Sequence, residues 1–74
     1  MSPDKLVYMA NQIATFFRSQ PGDDQVDRIA AHLRDFWEPR MIEALAAHVA
    51  AGGTGLDAQA LAALGRIAPA TAAG

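Results

Sequence analysis

Cysteine is absent from this 74-residue chain, which excludes disulfides, thiolate zinc sites and any Cys-ligated iron–sulfur cluster held by the chain alone. Large apolar side chains are scarce too: about half the residues are apolar, but seventeen of them are Ala, each of which buries little area. No stretch approaches the roughly 20 apolar residues that a bilayer span needs. A secretory signal is not expected either, since Asp4 and Asn11-Gln12 interrupt the first residues and no basic segment precedes an apolar run. Positive charge is not in excess. The formal net charge of −2 argues against nonspecific adhesion to nucleic acid or anionic membrane. The expectation is a small, soluble, cytoplasmic protein of one domain. A chain of this length buries only about 60% of its unfolded surface, so helix packing or a partner has to supply the staple that tiny domains need.

What is present is helical periodicity with clear punctuation. Ser2-Pro3 reads as N-cap and first helical position, with Asp4 favourable to the dipole. The apolar stripe that follows is Leu6, Met9, Ala10, Ile13, Phe16 and Phe17. Ser19-Gln20-Pro21-Gly22 is a turn, after which Asp23 or Asp24 caps a second helix with the stripe Val26, Ile29, Ala30, Leu33, Phe36 and Trp37. Asp24 and Arg28 form an i,i+4 pair on its polar side. A third helix starts at Pro39, carries Met41, Ile42, Leu45, Ala46 and Val49, and stops at Gly52-Gly53. Asp57 caps a short Ala-rich fourth helix from about Ala58 to Ile67, with Leu56 and Leu61 as a hydrophobic staple. The fold expected is all-α, a small antiparallel bundle of three main helices plus the short C-terminal one. Residues 1–68 form the domain, residues 69–74 are a flexible Ala-rich tail, and Phe16, Ile29, Leu33 and Leu45 are core.

The scarcest residue types meet at a forced backbone break, Phe36-Trp37-Glu38-Pro39-Arg40-Met41. Pro39 drives Glu38 out of the α region, which puts the only Trp at a corner between two helices. Trp37 either plugs the seam between them or anchors a partner, and both hold if each ring face is buried in one. Arg40 lies in the first turn of a helix, where a cation is mildly unfavourable to the dipole. That position is explained if Arg40 pairs with a carboxylate or carbonyl elsewhere, Glu38 being the intrachain alternative. Trp37, Glu38 and Arg40 are therefore the first candidates for a partner surface. Tyr8 and Gln12, one turn apart on the polar side of the first helix, are weaker ones.

Chemistry-bearing constellations are thin. His32 and Asp35 are an i,i+3 pair without a third ligand, so a solvated helix flank explains them better than a metal does. Asp23, Asp24 and Asp27 suit a helix N-terminus. Gly52, Gly53 and Gly55 follow no strand and precede no Lys, so no phosphate loop is formed. A helix-turn-helix regulator would use Arg28 and Arg34, but these are interleaved with Asp27 and Asp35, which repel phosphate. No catalytic, cofactor-binding or metal residue is assigned.

Met9-Ala10-Asn11-Gln12-Ile13, Phe16-Phe17, His32-Leu33, Phe36 to Met41 and Gly52-Gly53-Thr54-Gly55-Leu56 together resemble the delta subunit of NAD-dependent, molybdenum-containing formate dehydrogenases, over about Leu6 to Leu64. The family often has Asp where Glu38 stands, which keeps the charge. The resemblance implies a small accessory subunit of a complex that oxidises formate at a molybdenum centre and passes electrons through iron–sulfur clusters and flavin to NAD. It implies no cofactor in this chain and contact with the large molybdenum-containing subunit. The role implied is that of a noncatalytic stabilising subunit. One alternative is a transient assembly factor for molybdenum cofactor insertion, and another, of a different class, is the DNA-binding regulator.

Overall fold

The computed structural model describes residues 2–67. Among these it contains four helices and no strand: α1 (Pro3–Arg18), α2 (Gln25–Phe36), α3 (Pro39–Ala50) and α4 (Ala58–Ile67). The tail expected at residues 69–74 lies outside the described residues. No helix among them is long and apolar enough to cross a membrane.

Each boundary has a local cause. Ser2 is extended and its hydroxyl oxygen accepts from the Lys5 N–H, with Pro3 at the first helical position. Glu38 is extended, with ψ 148°, as the residue before a proline is driven to be. α3 ends in paired bonds, Gly53 N–H to His48 O and Gly52 N–H to Val49 O, both at 3.0 Å. This is a Schellman ending: Gly52 takes the positive φ it demands, 128°, and Gly53 follows at 66°. α4 is capped by Asp57, whose Oδ1 accepts from the N–H groups of Gln59 at 2.8 Å and Ala60 at 3.4 Å. Asp24 departs from expectation. It holds the N-cap position of α2 without a capping bond, because its carboxylate instead accepts from Arg28 Nε at 3.0 Å.

The core is built from Leu6 of α1, Ile29 and Leu33 of α2 and Leu45 of α3, all fully buried, and is lined by small residues: Ala10, Ala14, Ala30, Ala60 and Ala63. α4 is no appendage. Its contact with α2 is the most extensive between any two helices, and Ala60, Ala63 and Leu64 provide its buried face. Alanine buries little area, but it lets two helices approach closely, and that brings backbone and neighbouring Leu side chains into van der Waals range.

The same preference for small residues overturns three expectations. Phe16 is not core but 59% exposed. The buried line of α1 runs through Leu6, Val7, Ala10 and Ala14, and Phe16 lies about 200° round the helix from Ala14. Phe36 lies at the margin of the buried sector of α2, on its last residue, and is 74% exposed. Leu61, read as an anchor of α4, is 44% exposed on its flank, whereas Leu56 is half-buried against the core.

Candidate functional site

An aromatic strip crosses from α1 to α2. Phe16 and Phe17 meet edge-on with ring centroids 5.1 Å apart, Phe17 meets His32 edge-on at 6.0 Å, and His32 packs at 4.7 Å on Phe36. Edge-on contact sets the positive rim of one ring against the negative face of the next. Between the helices the strip borders an open groove of about 230 Å³ lined by Gln12, Ile13, Phe16, Phe17 and His32. Gln12 and His32 are its only polar side chains. His32, expected as a solvated flank, is half-buried between two aromatic rings.

A polar clamp on the other side of α1 fixes the helix that carries Phe16 and Phe17. The Asn11 amide donates to Gly55 O at 2.9 Å and its carbonyl accepts from Asp57 N–H at 2.8 Å. Arg18 forms an ion pair with Asp57 and donates from Nε to Gln59 at 3.3 Å. Gln59 in turn donates to Gln25 at 2.9 Å, and Gln25 donates to the carbonyls of Arg18 and Gln20, both at 3.1 Å. A second ion pair, Arg66 with Asp27, joins α4 to α2. Three segments far apart in sequence are tied together by these side chains.

Burial at the clamp acts to raise the Asp57 pKa. The hydrogen bond from Arg18 and those from the Gln59 and Ala60 N–H groups outweigh it, so the net shift is downward from the ordinary 3.8. A depressed folded-state pKa contributes stability that is present above the unfolded value and is lost as pH falls through the folded one. Asp57→Asn keeps a capping oxygen and removes the charge. Parent and variant are expected to differ by about 1 kcal/mol at pH 7, with the gap closing below about pH 4. Urea titrations at pH 7 and pH 2.5 check this; a gap that persists in acid would show that the carboxylate charge is not its cause.

The sequence candidates divide. Tyr8 and Gln12 are exposed, with Gln12 in the groove wall and Tyr8 one turn before it. Trp37 is turned inward, only 7% exposed, and packs with the buried core. Glu38 and Arg40 are exposed at the α2–α3 corner. Among the described residues, the ion pairs are Arg18–Asp57, Arg28–Asp24 and Arg66–Asp27, so neither Glu38 nor Arg40 has an ionic partner. No three of His, Cys, Asp and Glu gather as a metal site among these residues.

Phe16 and Phe36 are what sequence reasoning missed as surface, and His32, read as a solvated flank, is what it missed as packed between rings. The signal was available. Phe16-Phe17 and Phe36-Trp37 are adjacent in sequence, and neighbours on a helix point about 100° apart, so one of each pair is forced towards the edge of any single stripe.

Compared with known families, residues 5–64 match the model described as NADH-dependant formate dehydrogenase delta subunit FdsD. No curated protein and no solved structure gives a significant match.

Proposed function

From the premise that the chain belongs to the delta-subunit family of NADH-dependent formate dehydrogenases, we propose that it is a noncatalytic accessory subunit that binds and stabilises the large molybdenum-containing subunit. It does so in the cytoplasm and without a cofactor of its own. The observation that carries the reading is Arg40. This cation stands exposed in the first turn of α3 with no ionic partner among the described residues, where the helix dipole disfavours it. A carboxylate or carbonyl group on a partner supplies what the fold does not. Glu38, which neither caps α3 with its side chain nor pairs with Arg40, offers the opposite charge beside it. Tyr8 and Gln12 extend the surface along α1, and Trp37 supports the corner from within.

Arg40→Ala is expected to leave helicity and melting of the isolated chain nearly unchanged. It should weaken co-purification with the large subunit by about 2 kcal/mol or more if Arg40 is a hot spot. Equal binding by variant and parent at one salt concentration removes Arg40 from the interface. Stoichiometry separates a resident subunit from a transient assembly factor: the proposal expects the chain in equal amount with the large subunit in the purified active complex. Of the two arginines the DNA-binding alternative would use, Arg28 and Arg34, the first is engaged by Asp24.

A further inference from the structure

We infer that the aromatic groove between α1 and α2 seats one amphipathic helix of the large subunit, which presents an apolar anchor to Phe16, Phe17 and Phe36 and a basic side chain to Asp35 and Glu38. This rests on the accessory-subunit reading above and extends it from the Arg40 corner to a second, adjoining surface.

Three observations define the occupant. The groove wall is apolar except for Gln12 and His32. An extended segment laid there would leave most of its backbone N–H and C=O groups without partners, and no strand edge exists among the described residues to receive them. A helix satisfies its own backbone and offers only side chains, so a helix fits.

The area argues against a second copy. Phe16 and Phe36 at 59% and 74% exposure offer on the order of 100–150 Å² each. With the groove floor, the strip still falls well short of the roughly 800 Å² per partner that a stable dimer buries.

Charge sets the rim. Asp35 lies one turn from His32 and next to Phe36 on α2, Glu38 follows at the corner, and both are exposed and outside every ion pair among the described residues. Arg34 is two residues before Phe36, about 200° round the helix, and Arg28, one turn before His32, is already paired with Asp24, which leaves Asp35 as the unpaired charge on that side of α2. The complement is a Lys or Arg on the docking helix, about one turn from its apolar anchor.

The test is binding of the full chain to purified large subunit, with parent, Phe16→Ala, Phe36→Ala and Asp35→Lys compared at low and high salt. Phe16→Ala and Phe36→Ala are each expected to weaken binding at least tenfold while leaving the melting temperature of the isolated chain within a few degrees of the parent. Asp35→Lys is expected to weaken it several-fold and to flatten its salt dependence. If the parent binds and both Phe variants bind equally well, the groove is overturned while the accessory-subunit reading stands. If the parent does not bind, both fall. A chain that sediments as a dimer and becomes monomeric in Phe36→Ala assigns the groove to a second copy instead. Stronger binding of a fluorescent apolar probe by a chain ending at Ile67 than by the full chain assigns it to the chain's own last residues.

Discussion

Leu33→Ala is expected to cost about 2–5 kcal/mol, the range for removing a large aliphatic side chain from a closed core. Leu33 is fully buried on α2, the helix on which α4 makes its broadest contact. A chain of this length has on the order of 4–11 kcal/mol in total, so the loss takes a large part of it. In a domain this small each kcal/mol moves the melting temperature by about 4–8 °C, and the drop should be at least about 8 °C. Phe36→Ala, one turn on along the same helix but exposed, is the control and should move melting little. If the two variants melt alike, burial on α2 has been assigned to the wrong face.

Trp37→Ala carries the other large effect, about 3–5 kcal/mol, and it decides between the two roles the sequence left open. At 7% exposure the indole belongs to the packing where α2 gives way to α3, so its removal should unfold much of the isolated chain. Binding would then fail as a consequence of unfolding. Circular dichroism suits the measurement, because the variant lacks the only Trp. A Trp37→Ala chain that melts like the parent yet no longer binds the large subunit would return Trp37 to the interface.

Helix existence and ends were legible because their causes are local. Ser2-Pro3, Pro21-Gly22, Glu38-Pro39, Gly52-Gly53 and Asp57 each act within a few residues, and α4 runs from Ala58 to Ile67 as read. Ile29, Leu33 and Leu45 lie in the core as expected. Which residues face inward on α1 and α4 was less legible. Hydrophobicity ranks Phe16 and Leu61 above Ala14 and Ala63, whereas close helix approach ranks them the other way. The clamp was hidden for a different reason. Asn11 and Asp57 are 46 positions apart, and nothing near either residue announces the other. Of the candidate surface, Tyr8 and Gln12 came from polar position, and Glu38 and Arg40 from the proline break and the helix dipole. Phe16 and Phe36 needed the packing before they could be seen as surface, and His32 before it could be seen as part of an aromatic strip.

The pairing of α2 with α4 has a consequence for how the chain is born. Thirty-one residues separate Phe36 from Ile67, and at 5–20 residues per second the ribosome needs about 2–6 s to add them. Until then Ile29 and Leu33 have no α4 to cover them. The half-made chain carries an open apolar face through that interval, however well α1 and α2 have already formed. The face of α2 that packs against α4 therefore stays open in any chain that stops before Ala58, however complete the earlier helices are.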